Sequence, residues 1–241
     1  MTDRLPGLSF FFPARDEELN VEPMVRQALA TLPAYTDRLE VMIVDDGSND
    51  RTGEIGDELA LTDPRVKVIH NRPGRGYGGA VRAGIESATQ PFIFFTDGDQ
   101  QFDIADFGTL AAAMGPDVDA VIGYRIKRAD PWRRSLVSGV YNRLIRVLFA
   151  GGWRDVDCAF KLFRADVFVR VPLARVRSNG AFFSPELLIT LRASGIRMRE
   201  VGIPHHPRLH HEPKGAPPKV ILKAIRDLLL LRLAMWLDPK R

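Results

Sequence analysis

The sequence predicts an α/β fold, a mostly parallel, Rossmann-like sheet covered by helices on both faces and followed by an amphipathic C-terminal helix. Three observations predict it. Short apolar runs at Leu8–Phe12, Val41–Val44, Val66–Ile69 and Phe92–Phe95 read as strands buried on both sides. Stretches of helical periodicity separate them, the βα alternation of a parallel sheet. Acidic or polar motifs follow the first, second and fourth runs, and in such sheets ligands bind outside the carboxyl ends of the strands.

In chain order, Leu8–Phe12 is the first strand. Val21, Met24, Val25, Ala28, Leu29 and Leu32 then recur at helical spacing, with Asn20 as the expected N-cap. Val41–Val44 ends in Asp45-Asp46-Gly47-Ser48 and leads into a short helix through Ile55 and Leu59. Val66–Ile69 precedes a glycine-rich loop and a helix from Gly79 to Ala88, and Phe92–Phe95 runs straight into Asp97. A fifth strand is expected at Ala120–Gly123. A long helix carries Leu136, Val137, Val140, Leu144, Val147 and Leu148, and Cys158–Phe163 reads as a further strand. Ser184-Pro185-Glu186 reads as a helix start with Ser as cap, Pro at the first position and an acid in the first turn. Pro204–Pro218 is a proline-broken arm, and Lys219–Trp236 returns to helical spacing. The expected organisation is one domain over 1–215 and an amphipathic helix over 216–241.

Composition sets the outer limits. With 241 residues, 45% apolar and 27% charged, the chain has the make-up of a globular domain rather than a disordered or fibrous one. Its single cysteine, Cys158, excludes an intrachain disulfide and a cysteine-based metal cluster, and fits the reducing cytoplasm. The apolar stretch near the N-terminus is too short for a signal peptide, and no window approaches the ~20 apolar residues that span a bilayer. The expected location is cytoplasmic, peripheral to the membrane face. The net charge of +4 permits anionic partners without naming one, and basic residues thicken after Tyr124 and again from Arg192. Nothing in the pattern calls for nucleic acid, and the sequence leaves a homo-oligomer open.

The acidic motifs carry the chemistry. Asp97 and Asp99, two residues apart past a strand, put both carboxylates on one side if the extended geometry persists. A hard cation, Mg²⁺ or Mn²⁺, relieves their repulsion and leaves coordination positions for substrate phosphates. Gln101 adds a carbonyl oxygen or a contact to metal-bound water. Asp45 and Asp46 stand where an acid accepts hydrogen bonds from a base or ribose, and Pro13, Arg15 and Glu17 form another wall of that pocket. Each motif alone also reads as an ordinary turn.

Taken together, Pro13-x-x-Asp16-Glu17, Ile43-Val44-Asp45-Asp46-Gly47-Ser48, the loop Arg75-Gly76-Tyr77-Gly78-Gly79-Ala80 and Asp97-Gly98-Asp99-x-Gln101 resemble glycosyltransferase family 2. Gly123-Tyr124-Arg125, Arg134 with Ser138 and Asn142, Asp155 to Lys161, and Val201 to Arg208 resemble its polyprenyl-phosphate sugar synthases of the dolichyl-phosphate mannose synthase type. The resemblance implies a GT-A fold and transfer of a hexose, with inversion, from a GDP- or UDP-sugar to a lipid phosphate. It assigns the metal to Asp97, Asp99 and Gln101. The nucleotide sugar falls to Pro13, Arg15, Glu17, Asp45, Asp46, Arg75, Asp97 and Gly98. Arg125 faces the donor diphosphate, and Asp99, Arg125, Arg134 and Asp157 are the expected catalytic residues. Arg133, Arg134, Ser138 and Lys161 are assigned to the acceptor phosphate. Asp16 and Cys158-Ala159-Phe160-Lys161 depart from the family's usual Asn and Ser-Gly-Phe-Arg.

A phosphate monoester, with a second pKa of about 6, is already largely dianionic at neutral pH and needs cations more than a base. Arg125, Lys127, Arg128, Arg133 and Arg134 would supply them. For a hydroxyl acceptor, Asp155, Asp157 or Glu186 is the base to test. His205, His206, His210 and His211 cluster but fit no standard zinc spacing. The last helix mixes Lys219, Lys223, Arg226 and Arg232 with apolar residues, a pattern suited to a membrane interface or to a protein partner. Two other readings stand beside these. Gly74 to Gly79 matches G-x-G-x-x-G, the fingerprint of a nicotinamide- or flavin-dependent oxidoreductase, and a lectin-like or scaffold protein would use the same fold without catalysis.

Overall fold

The computed structural model describes residues 4–126, 132–149, 152–180, 182–208 and 218–237. Seven strands form one sheet: β1 (Leu8–Ala14), β2 (Leu39–Asp45), β3 (Val66–His70), β4 (Phe92–Phe95), β5 (Ala120–Arg125), β6 (Lys161–Arg164) and β7 (Met198–Ile203). Their order is β3-β2-β1-β4-β6-β5-β7, parallel except for β6, which runs antiparallel to both β4 and β5. The helices are α1 (Glu18–Thr31), α2 (Thr52–Thr62), α3 (Tyr77–Ser87), α4 (Phe107–Ala113), α5 (Trp132–Phe149), α6 (Asp166–Arg170), α7 (Phe183–Ala193) and α8 (Pro218–Leu237).

Successive residues of a strand point to opposite faces, and the phenylalanines exploit this. Phe10 stacks on Phe94 at 5.0 Å on one face, and Phe11 on Phe95 at 5.2 Å on the other. Helix α3 lies so close over Phe11 that a Cβ at Gly84 would come within 2.3 Å of its ring, so glycine is what lets the helix seat. On the opposite face Phe107, at the head of α4, meets Phe94 and Tyr35. Burying such a ladder on both faces supplies the dominant stabilisation.

Several expectations change in detail. Helix α1 begins at Glu18, so Asn20 lies inside it; its side chain is fully buried, donating to Glu17 and accepting from Gln100. Helix α7 begins at Phe183, placing Ser184 and Pro185 in its first turn, where a proline still costs no helical hydrogen bond. The sixth strand is confined to Lys161–Arg164. Strand β7, pairing along all of β5, and the short α4 have no counterpart in the sequence reading. Helix α8 docks through the fully buried Leu228, with Leu231 and Met235 against the core. No helix among the described residues is long and apolar enough to cross a membrane.

Candidate active site

The strand order reverses between β1 and β4, and the acidic turn sits at that point. A Cβ on Gly98 would lie 2.7 Å from the Pro13 carbonyl oxygen and 3.0 Å from the Phe12 ring. Glycine therefore lets Asp97-Gly98-Asp99 rest on the carboxyl end of β1, the position where open α/β sheets bind ligands. Asp99 accepts a hydrogen bond from the Gln101 amide at 3.2 Å. Burial and the Asp99 carboxylate push Asp97 up to about 7. Burial also raises Asp99, with Glu17 acting in the same direction. Asp97 Oδ1 and the preceding Thr96 Oγ1 are buried without a hydrogen-bond partner, a cost of roughly 1–3 kcal/mol per atom.

Two half-buried carboxylates that disfavour each other's charge, one with a buried, orphaned oxygen, fit a divalent cation. Among the described residues no group of three or more His, Cys, Asp or Glu side chains is arranged to hold a metal. The remaining coordination positions would fall to phosphates and water, which is how Mg²⁺-type sites are usually completed.

Residues from far along the chain close the site. Arg208 forms an ion pair with Glu17, and its other terminal nitrogen lies 3.7 Å from Asp99. Glu17 also accepts from Asn20 at 2.5 Å, which explains why Asn20 is buried. The segment leading to Arg208 is tied to the acidic turn: the His206 amide donates to the Gln101 carbonyl at 2.8 Å, and the Gln101 side-chain amide donates to the His206 carbonyl at 3.2 Å. His205 packs edge-on against Phe102. His210 and His211 lie outside the described residues.

The two aspartates after β2 have different surroundings. Asp45 is fully buried, accepting from the Ser48 amide at 3.0 Å and pairing with His70 at 3.0 Å. Asp46 accepts from Asn71, from the Arg75 amide at 2.7 Å and from the Gly76 amide at 2.8 Å, so it pins the glycine-rich loop against the sheet end. Arg15 reaches the same loop, with a terminal nitrogen 3.6 Å from where a Cβ on Gly74 would be. The Arg75 side chain folds over Gly79, where a Cβ would meet it at 2.4 Å. Gly78 donates to the Asn179 carbonyl at 3.0 Å, and a Cβ there would strike Phe183. A Cβ on Gly74 would lie 2.4 Å from the Asp46 carbonyl oxygen and one on Gly76 2.9 Å from that of Asn179, so close packing accounts for all three glycines of the G-x-G-x-x-G pattern.

Beside Asp97 lies a second polar cluster. Arg125 holds Asp155 through two hydrogen bonds of 2.5 and 2.7 Å, with both side chains 8% exposed. Lys161 is wholly buried: it donates to the Cys158 carbonyl and stands over the Phe95 ring. Its charge faces Asp97, Asp157 and Asp155, and burial lowers its pKa. Cys158, buried, is pushed up to about 12 and stays a thiol. The Tyr77 hydroxyl lies beside Asp97 and Ser184, and burial with the Asp97 charge holds it far above its ordinary value. Asn142 on α5 accepts from the Val156 amide at 3.0 Å, which fixes α5 beside Asp155 and Asp157. Arg133, Arg134 and Ser138 lie at the start of α5, but their side chains, like Lys127 and Arg128, are outside the described residues.

Sequence reasoning assigns no role to Tyr77 individually or to Arg208. Tyr77 follows directly from its place at the head of α3, after the pinned loop. No spacing rule could bring Arg208 to Glu17, 191 positions away.

The comparisons agree with this geometry. The profile described as "Glycosyl transferase family 2" matches residues 9–171. The chain is similar to glycosyltransferase AglD of Haloferax volcanii, 31% identical over 229 residues that cover 92% of this chain and 35% of AglD. It thus spans about a third of that relative's length. It is also similar to the polyprenol monophosphomannose synthase of Mycolicibacterium smegmatis, 29% identical over 79% of this chain and 81% of the synthase. Among solved structures, glucosyl-3-phosphoglycerate synthase from Mycobacterium tuberculosis in complex with Mn²⁺, uridine diphosphate and phosphoglyceric acid matches with a TM-score of 0.69. That match has 17% identity and covers 94% of this chain and 78% of that one, a likeness of fold. The family match excludes the oxidoreductase reading, and the fold is that of GT-A enzymes. A switch-point acidic turn, a loop pinned over it and a family profile spanning both have one common reading: the chain belongs to glycosyltransferase family 2.

Proposed function

We propose that this glycosyltransferase moves a hexose, with inversion, from a GDP- or UDP-sugar to a polyprenyl phosphate at the cytoplasmic face of a membrane. The carrying observation is the acidic turn at the switch point, with Asp97 and Asp99 half-buried together and one Asp97 oxygen buried and unpaired. Asp97 and Asp99 would hold Mg²⁺ or Mn²⁺, with Gln101 alongside. The ion supplies Lewis-acid neutralisation of the departing diphosphate. The chain's own part is to place and enclose the donor. Asp46 holds the glycine-rich loop in position as one wall of the nucleotide pocket, Pro13 and Gly98 form its floor, and Arg15, Arg75 and Glu17 border it.

The acceptor reading rests on what the candidate bases are doing. Asp155 is engaged by Arg125, and Glu186 accepts from the Arg177 and Ser178 amides at 2.9 and 2.8 Å. Those two carboxylates are poorly placed to take a proton from an attacking hydroxyl, which leaves Asp157 as the base a hydroxyl acceptor would need, whereas a phosphate dianion needs none. The basic first turn of α5, with Arg133 and Arg134, would meet that phosphate. The similarity to a polyprenol monophosphomannose synthase supports the same choice. On α8, Leu229, Leu230, Leu233, Trp236 and Leu237 are exposed beside Arg226 and Arg232, a face suited to headgroups and acyl chains.

The test is transfer from a panel of GDP- and UDP-hexoses to a short-chain polyprenyl phosphate or the matching alcohol, with Mg²⁺, Mn²⁺ or chelator. We expect metal-dependent turnover of the phosphate only, and a drop of at least ~100-fold in Asp99→Ala. Turnover in chelator, or of the alcohol alone, would refute the corresponding part.

A further inference from the structure

We infer that Arg208 is the resident counter-cation of the acidic turn, competing with the divalent metal for Asp99, and that residues 204–208 form a strap whose docking depends on which cation Asp99 holds. The inference rests on the metal site proposed above but concerns this chain's own residues.

The geometry is specific. Arg208, with a side chain only 12% exposed, bridges Glu17 after β1 and Asp99 after β4, the carboxylates on either side of the switch point. Its contact to Glu17 is the tighter one; that to Asp99, at 3.7 Å, is an ion pair beyond hydrogen-bond range. A guanidinium there relieves the Glu17–Asp99 repulsion, as a metal would relieve that between Asp97 and Asp99, so both cations are drawn to the Asp99 carboxylate. A divalent ion drawn to Asp99 would meet a positive charge already beside it. Arg208 cannot give way alone. Its segment is clasped to the turn by the reciprocal His206–Gln101 bonds and by His205 against Phe102. Gln101, the residue expected beside the metal, therefore also holds the strap. Glu17 offers the released guanidinium a place to stay. Asn20, bonded to both Glu17 and Gln100, links the two ends of the device through α1.

The test uses the full chain without donor. Mn²⁺ affinity is measured by calorimetry on wild type, Arg208→Gln and Arg208→Lys, with thermal melts confirming folding. Hydrogen exchange over residues 204–208 is followed with and without Mn²⁺. Removing the competing charge should tighten Mn²⁺ binding at least ~10-fold in Arg208→Gln, the low end of what a charge a few ångströms away is worth between bulk water and a protein surface, while Arg208→Lys stays near wild type. Mn²⁺ should speed exchange of the strap in wild type and leave it unchanged in Arg208→Gln. A folded Arg208→Gln that binds Mn²⁺ equally or more weakly, or a strap indifferent to Mn²⁺, overturns the inference while leaving the metal site intact. If neither wild type nor Arg208→Gln binds Mn²⁺, the metal site itself is refuted and the inference falls with it.

Discussion

At the scale of single residues, stability and chemistry can be separated at Arg125 and Asp155. Each side chain is 8% exposed and the pair shares two short hydrogen bonds, so removing one partner strands a charge in the core. Such a loss costs about 3–5 kcal/mol, whereas an apolar pair of similar volume is often neutral. We expect Asp155→Ala to lower the denaturant midpoint sharply, and Arg125→Met with Asp155→Leu to recover most of it. If Arg125 also faces the donor diphosphate, the double variant will be stable and inactive. A stable double variant with full turnover would reduce Arg125 to a structural role. Asp46 illustrates the converse limit of sequence reasoning. An acid at that strand end signals a nucleotide pocket, yet its three hydrogen bonds go to Asn71, Arg75 and Gly76 of the loop, a contact set that the motif does not encode.

At the scale of elements, the glycines give the clearest forecast. Gly84 lies on the Phe11 ring, which is fully buried and stacked on Phe95, and has no room to move. Gly84→Ala should therefore cost about 1–3 kcal/mol by overpacking. Gly115→Ala, where a Cβ meets nothing within 4 Å, should be close to neutral. Equal melting shifts for the two would show that α3 does not press on β1. The first, second and fourth strands were readable because each is built on an apolar run bounded by turn residues, and Phe92–Phe95 matches residue for residue; the third, expected to be buried on both sides, lies at the sheet edge with Lys67 exposed and only Val66 fully enclosed. Strand β7 was not readable, because Met198–Ile203 contains Arg199 and Glu200 and lies at the sheet edge, where only partial burial is required. The start of β6 was obscured because Cys158, Ala159 and Phe160 are as buried and apolar as a strand without pairing as one. The acidic turn and the loop motifs were local in sequence and therefore visible. Arg208 and the partner of Arg125 come from other elements, and only the sheet order brings them in.

At the scale of the whole molecule, the buried titrating groups set how stability depends on pH, and their signs differ. Asp119, held by Arg197 and Arg170, is lowered to about 2 despite burial. Asp45 and Glu40 are likewise lowered, by Ser48 and His70 and by Lys67 and Ser9, against the opposing effect of burial. These acids contribute stability above their ordinary values of 3.8 and 4.5. That contribution fades as pH falls through their folded values. His70, between Asp45 and Asp57, is raised above 6.5, so its contribution is complete below 6.5 and is lost as pH rises through the folded value. Asp97 acts in the same direction. Raised from 3.8 to about 7, it favours its protonated form in the fold and withdraws stability as pH climbs between those values. Without metal, the chain should therefore melt highest in mildly acidic buffer, near pH 4–5, and progressively lower toward pH 8. Thermal melts across pH 3–9 in chelator would check this. Asp97→Asn should flatten the decline between pH 4 and 7, and His70→Gln should flatten it only above about 6.5, because each removes one titration and leaves the other. A chelated wild type most stable at neutral pH would mean that Asp97 ionises without penalty, and the acidic turn would then have no unmet charge for a cation to answer.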